Sequence, residues 1–142
     1  MALPAPEPGL VVSFNYLWRR EQDAGREHGR YPRPCAIVLT VRADPGGPPM
    51  VTVAPITTKR PAPDQRAVEI PPSVKRHLGL DVEIASWVMV EEVNEFAWPG
   101  FDLEPDAHGR IAYGFIPPRL YDRIRSGLLE ALKARRLSRI LR

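Results

Sequence analysis

The sequence predicts a mainly β domain that is closed by a C-terminal helix. Five short runs are dense in β-branched or aromatic residues and are bounded by Pro, Gly or Asp, which is the pattern of short strands. Seventeen prolines and ten glycines in 142 residues favour many short elements joined by turns. This length suits one core, so we expect a single domain over residues 1–142.

The predicted strands follow one another with little room for helices between them. They are 10–14, 35–41, 50–56, 67–70 and 82–93. An α/β fold would need a helix after each strand, so this order favours a small, strongly bent sheet or an SH3-like barrel. Residues 44–49 are rich in Pro and Gly, and we expect them to connect the second and third strands as a hairpin.

Two helices are predicted. Residues 71–79 begin with Pro71 and end with Gly79, an order that favours a short helix at one edge of the barrel. After Pro118, apolar residues recur at helical spacing and predict a helix that packs on the core. The residues of this stripe are Leu120, Ile124, Leu128 and Leu132.

Positive charge is concentrated near the end of the sequence. The formal net charge is +3, but residues 119–142 hold eight Lys or Arg against Asp122 and Glu130. We expect a basic tail at residues 133–142, which permits a polyanionic partner, although basic residues also suit the end of a helix and its dipole. Residues 1–7 include Pro4 and Pro6 and are expected to be flexible.

Several classes of protein are not favoured. No stretch approaches the ~20 apolar residues of a membrane span, and the first residues lack the features of a signal peptide. The single cysteine, Cys35, lies in an apolar run and is expected to be a buried structural thiol. We therefore expect a cytoplasmic protein that has no contact with a membrane.

Metal and nucleotide sites are also not favoured. His28, His77 and His108 lie in separate segments without a second His or Cys at ligand spacing. The glycine-rich runs that cradle phosphates, and the Gly-x-Ser-x-Gly run of many hydrolases, do not occur. We therefore expect neither a metal nor a cofactor.

Four short motifs follow one another along the sequence. They are Pro8-Gly9-Leu10-Val11-Val12, Gly29-Arg30-Tyr31-Pro32-Arg33-Pro34, Ala54-Pro55-Ile56-Thr57-Thr58 and Gly114-Phe115-Ile116-Pro117. Their order resembles that of the PemK/MazF family of toxin endoribonucleases, from about residue 8 to residue 134. The resemblance implies an SH3-like barrel of the PemK/MazF/CcdB kind. It also implies a homodimer that cuts single-stranded RNA and is silenced by a cognate antitoxin.

RNA carries its own nucleophile, the 2′-hydroxyl. Cleavage therefore needs a base, a cation for the crowded phosphorane and an acid for the leaving oxygen, and no metal is obligatory. Through the resemblance, Arg33 is the predicted cation and Thr57 the hydroxyl that donates to the scissile phosphate. Glu91 falls where many relatives carry an Asp and is the predicted base. The residues predicted to contact RNA are Thr58, Arg30, Lys59, Arg60 and Trp98.

The acid and the base have alternatives. Glu92 stands beside Glu91, and strand alternation would put one of the two on the active face. Met89 occupies a place where some relatives carry an arginine that acts as the acid. Other candidates for either role lie in the long charged segment 17–32. They are Glu21, Asp23 and His28.

Two other functions compete with the toxin. The first is a barrel without catalysis that holds RNA or a protein segment in the same groove, which Met89 and the lack of an acidic residue after Gly9 favour. The second is a structural partner protein with a basic helix. Trp98 and Phe101 could stack on bases, as aromatic residues do for single strands, or fill the core.

Overall fold

The computed structural model describes residues 3–42 and 44–142, and its architecture is mainly β. The strands are β1 (Leu10–Phe14), β2 (Arg33–Val41), β3 (Met50–Thr57), β4 (Ala67–Glu69), β5 (Trp87–Met89), β6 (Glu92–Ala97), β7 (Ala112–Phe115) and β8 (Ser138–Leu141). The helices are α1 (Arg19–Asp23), α2 (Pro72–Leu78) and α3 (Pro118–Lys133). The predicted mainly β class, with a short helix and a C-terminal packing helix, is confirmed.

The strands form one strongly bent sheet. Its neighbours run in the order β4-β5-β3-β2-β1-β7, and β6 pairs with the other end of β3. β8 extends β6 in parallel, whereas the other pairs of strands are antiparallel. The predicted hairpin of β2 and β3 is confirmed, with Cys35 opposite Pro55. The sheet stays open, because β4 and β7 do not pair within the described residues.

The run 82–93, predicted as one strand, holds β5 and the start of β6 with a bend between them, whereas residues 82–86 precede β5 in a turn and irregular chain. β5 pairs with β4 and with the end of β3, whereas β6 pairs with the start of β3 and with β8. The bend is held by hydrogen bonds from Val90 N–H to Arg66 C=O (3.3 Å) and from Ser138 N–H to Glu91 C=O (2.9 Å). The one-strand prediction was wrong because an apolar run does not reveal where a strand changes partners.

The sheet is covered on both faces. One face packs against α3 through Leu120, Ile124 and Leu128, as predicted, while Leu132 at the end of the stripe is exposed. The other face carries an aromatic core that includes Phe14, Tyr16, Trp18 and Phe96. Burial on both sides explains why all five residues of β1 are buried.

Cys35 lies within the aromatic core and is fully buried. Burial raises the pKa of its thiol well above the ordinary value. An inert structural thiol, as predicted, follows from this environment.

Residues 133–142, expected as a basic tail, form the end of α3, a turn and strand β8. Three of the basic side chains in this segment form ion pairs with carboxylates elsewhere in the chain. Arg136 pairs with Glu91 (3.1 Å), Arg139 with Glu95 (3.0 Å) and Arg142 with Asp102 (3.1 Å). The segment is thus part of the sheet, since buried Ile140 anchors β8 in the core.

Arg142 lies against two buried asparagines. Its side chain is only 3% exposed, and its guanidinium donates hydrogen bonds to the backbone carbonyl of Asn15 (2.6 Å) and to Oδ1 of Asn94 (2.9 Å). We call Arg142, Asn15 and Asn94 the clamp. A buried guanidinium with these partners has most of its donors satisfied, so it can be stable in the interior.

The clamp holds both ends of the charged segment 17–32. The side chain of Asn94 bonds both the N–H and the C=O of Leu17 (2.9 Å each), and that of Asn15 bonds the N–H (2.8 Å) and the C=O (3.1 Å) of Gly29. A Cβ at Gly29 would collide with the carbonyl of Tyr16, so this close approach requires glycine. The segment is therefore fixed to the sheet at two points.

Residues 3–7 precede β1 without regular secondary structure, and the Thr40 hydroxyl donates to the Pro6 carbonyl (2.7 Å). For residues 1 and 2, the prediction of flexibility lies outside the described residues. In the part of the chain that the structure describes, the helices are all too short or too polar to cross a bilayer.

Candidate active site

Several strand ends meet at one edge of the sheet. β2 and β3 are antiparallel, and Cys35 of β2 lies opposite Pro55 of β3. Two residues further towards this edge, the same register places Arg33 opposite Thr57. Phe14 pairs with Arg33 across β1 and β2, so the chain that leaves β1 passes the same edge. The end of β5 and the start of β6 also reach it. Side chains from four strands and from segment 17–32 therefore converge.

These ends surround an open cavity of about 200 Å³, which we call the cleft. It brings together five of the residues that the sequence predicted: Arg33, Thr57, Thr58, Lys59 and Arg60. The rest of its lining is Trp18, Arg20, Tyr31, Pro61, Gln65, Met89 and Glu92. Cationic side chains thus dominate one end of the domain.

Arg33 is held by aromatic rings. Its guanidinium carbon lies 4.8 Å from the centroid of the Trp18 ring and 5.1 Å from that of Tyr31. Its Nε is buried without an acceptor, and the guanidinium forms no ion pair with any described residue. Pro32 and Pro34 restrict the backbone on either side. The cation is therefore oriented by stacking, and its terminal N–H groups, rather than the buried Nε–H, are the donors that a ligand in the cleft can reach.

Glu92 is a partly buried carboxyl. Its Oε1 accepts hydrogen bonds from the Tyr16 hydroxyl (3.0 Å) and from the Arg19 N–H (3.1 Å). Burial raises the pKa of Glu92, and these two hydrogen bonds oppose the shift in part. The pKa of Tyr16 is also raised, by its burial and by the nearby Glu92. A carboxyl whose pKa is shifted towards neutrality is suited to proton transfer.

Glu91, the base expected from the sequence, lies outside the cleft. Its carboxylate accepts the Arg66 N–H (3.1 Å) and pairs with Arg136 (3.1 Å). The chain bends at this point and β6 begins one residue later. It is therefore Glu92, the second of the pair, that lines the cleft.

Thr57 ends β3 and closes the turn that follows. Its Oγ1 accepts the N–H of Lys59 (3.1 Å), as threonine does in hydroxyl-capped turns. Because the oxygen is the acceptor in this bond, the hydroxyl proton is free to donate to a ligand. Thr58, Lys59 and Arg60 are exposed in the same turn.

The other predicted residues lie elsewhere. Arg30 lines a second cavity beside the cleft. Trp98 is partly buried and packs against Phe96, with 6.1 Å between ring centroids. Two of the alternatives for the acid or base have partners of their own. Asp23 forms an ion pair with Arg19. Nδ1 of His28 lies 3.8 Å from Oδ1 of Asp102.

Sequence reasoning did not identify three of the residues that line the cleft, Trp18, Arg20 and Tyr31, as site residues. Trp18 and Arg20 belong to segment 17–32, whose unusual length and charge were the available signal. Tyr31 lies inside the Gly29–Pro34 motif. From the sequence, its ring could be expected to stack on Arg33, but not to line a site. Glu92 was recognised as one of a pair, but the sequence does not determine which of the two lines the cleft.

Comparison with known proteins gives one family. The model of the PemK-like, MazF-like toxins of type II toxin–antitoxin systems matches residues 11–99. This range runs from the second residue of β1 past the end of β6 and includes all residues that line the cleft. A search of curated proteins found no match.

Proposed function

Because the chain belongs to the PemK-like, MazF-like toxins of type II toxin–antitoxin systems, we propose that it is an endoribonuclease that cleaves single-stranded RNA in the cleft. The observation that carries the proposal is the convergence of three groups: the guanidinium of Arg33, which has no ion partner among the described residues, the hydroxyl of Thr57 and the carboxyl of Glu92. They supply a cation, a hydrogen-bond donor and a proton acceptor.

In the proposed reaction, Glu92 takes the proton of a 2′-hydroxyl as its oxygen attacks the adjacent phosphorus. The bond from phosphorus to the 5′-oxygen breaks, which leaves a 2′,3′-cyclic phosphate and a 5′-hydroxyl. Arg33 and Thr57 bind the non-bridging oxygens, where negative charge accumulates. Each of these steps uses a side chain of the cleft, so the route needs no metal.

The leaving 5′-oxygen must receive a proton. Met89 lies in the cleft but its thioether has none to give, and the guanidiniums of the cleft keep theirs. Two lining side chains remain that release a proton, Lys59 and Tyr31. We assign the general acid to one of these two.

The proposed activity is tested by incubating the pure protein with a mixed RNA pool in a chelator and mapping the new ends. Cleavage to 2′,3′-cyclic phosphate and 5′-hydroxyl ends is expected. Cleavage that appears only after magnesium is added would exclude the route. RNA binding without cleavage would instead favour a barrel that holds RNA or a protein segment and has lost catalysis.

We also propose that the protein is a homodimer. An apolar groove of about 270 Å³ lies between α3 and the strands, and Leu39, Leu129 and Leu132 are exposed in it. Such a face is a candidate for burial against a second copy. Single-stranded RNA would then lie across both subunits.

Leu132→Glu tests this assembly, because Leu132 is 49% exposed and a charge there should not prevent folding. We expect the wild-type protein to sediment as a dimer at micromolar concentration and the variant as a monomer. Leu141→Glu is the matched control, since Leu141 is 73% exposed and lies outside the groove. A monomeric wild type would refute the dimer.

Membership of the family implies a cognate antitoxin. We propose that this partner neutralises the enzyme, and the cationic lining of the cleft would attract an acidic segment of it. Because its RNA substrate and its antitoxin are made there, we place the enzyme in the cytoplasm.

A further inference from the structure

Segment 17–32 builds a second cavity beside the cleft. This cavity has a volume of about 370 Å³, and we call it the arginine cavity. α1 and the residues that follow it contribute Glu21, Arg26 and Arg30 to the lining. Trp18, Arg20, Tyr31 and Arg33 line both the arginine cavity and the cleft.

The charge of the two cavities is strongly unbalanced. Six cationic side chains line them against the two carboxylates of Glu21 and Glu92, a local excess of four positive charges. The formal net charge of the whole chain is +3, so the rest of the molecule is close to neutral. Such a concentration in concave surfaces focuses a positive potential and attracts anions.

The arginines are only partly neutralised within the protein. Oε2 of Glu21 lies 3.8 Å from Nε of Arg26 and 4.0 Å from Nε of Arg30. Both distances exceed the roughly 2.7–2.9 Å of a strong charge-assisted hydrogen bond. Arg20 and Arg33 form no ion pair with any residue that the structure describes. Several guanidinium forks therefore have donors available for phosphate oxygens.

Stacking fixes the wall that the two cavities share. The guanidinium carbon of Arg20 lies 4.7 Å from the Trp18 ring centroid, and Arg33 lies 4.8 Å from the same centroid. Arg26 and Arg30 line the arginine cavity but not the cleft. A strand of RNA whose scissile phosphate binds Arg33 therefore has a second cationic surface next to it.

We propose that the arginine cavity binds a second RNA phosphate, the internal phosphodiester next to the scissile one, through Arg26 and Arg30. Planar guanidiniums suit phosphate because they offer two parallel N–H donors. Contacts of this kind position the backbone and do not distinguish bases. This proposal rests on the proposed function, since it takes the scissile phosphate to be bound in the cleft.

The test measures binding separately from cleavage. The probe is a fluorescent single-stranded oligonucleotide with 2′-deoxy sugars, which cannot be cleaved by 2′-hydroxyl attack, and its affinity is read by anisotropy. In a second series, one phosphate at a time is replaced with a neutral methylphosphonate. The test variant combines Arg26→Gln with Arg30→Gln. The matched control combines Arg119→Gln with Arg123→Gln, which lie on the exposed face of α3.

We expect the Arg26/Arg30 double variant to bind the unmodified probe about tenfold more weakly, with a salt slope smaller by about one for each phosphate that the variant no longer neutralises. One methylphosphonate position should weaken the wild-type protein by a similar factor and leave the double variant unaffected. The control variant should show no such coupling to this position. Thermal unfolding of each variant checks that the fold is retained.

The proposal would be overturned if the loss of affinity from the methylphosphonate and the loss from the Arg26/Arg30 double variant simply added. It would also be overturned if the control variant showed the same coupling to the methylphosphonate position. It would also be overturned if the coupling depended only on a terminal 5′-phosphate, or if only an acidic peptide competed for Arg26 and Arg30. A protein that shows the coupling but does not cleave RNA would refute the nuclease and keep the phosphate site. A protein that cleaves RNA but does not show the coupling would keep the nuclease and refute the phosphate site.

Discussion

Replacing Arg33 with alanine is expected to slow RNA cleavage about a hundredfold, which corresponds to about 3 kcal/mol of transition-state stabilisation. The guanidinium is already oriented by Trp18 and Tyr31 and has no ion partner among the described residues. Its interaction with the phosphorane therefore needs little reorganisation. RNA binding should fall much less than the rate, since the charge on phosphate oxygens increases in the transition state.

Arg33→Lys separates the shape of the cation from its charge. We expect it to fail nearly as badly as Arg33→Ala, because an ammonium cannot reproduce the planar fork or the stacking on Trp18. Thr57→Val keeps the strand shape and removes the hydroxyl, so it should cause a smaller loss in the same direction. Single-turnover rates measure these losses, and wild-type cleavage by Arg33→Ala would exclude the mechanism.

Glu92→Gln is expected to lower the rate by about 10²–10⁴-fold, which is the usual contribution of a positioned general base. A base acts when it is deprotonated, so wild-type kcat/KM should fall as the pH falls through the pKa of Glu92. Burial raises that pKa, so the acidic limb of the profile should lie at higher pH than an ordinary glutamate would give. This limb should disappear in the variant.

Glu91→Gln decides between the two adjacent carboxyls. Since Glu91 pairs with Arg136 outside the cleft, its amide variant should keep the acidic limb of the pH profile. If Glu91→Gln loses the limb and Glu92→Gln keeps it, the base is the residue that the sequence indicated and the assignment from the structure is wrong.

The sequence predicted what depends on local patterns. Dense β-branched runs and the Pro- and Gly-rich turn were sufficient for β1, β2 and β3, and helical spacing was sufficient for α3. Arg33 and Thr57 could be proposed because each lies in a short motif at the end of a predicted strand. The structure brings both into the cleft, while their catalytic roles remain proposals.

The sequence could not predict what depends on distant partners. Glu92 lines the cleft because the chain bends before β6, and β8, which bonds to that bend, is more than forty residues away. The basic residues near the end permitted a polyanionic partner, but Arg136 pairs with Glu91 at the bend before β6, and Arg139 pairs with Glu95 of β6. Trp18 reaches the site because Asn94, 77 residues from Leu17, holds the adjacent backbone.

The clamp has a consequence for the order of events during synthesis. A ribosome completes Arg33 and Thr57 long before it adds Arg142, the residue that joins Asn15 to Asn94. Until then, the two asparagines lack their shared guanidinium, and both ends of segment 17–32 are less firmly held. A growing chain therefore completes the clamp only after residue 142 has left the exit tunnel, and we expect the final fixation of segment 17–32 to the sheet to be a late step of folding.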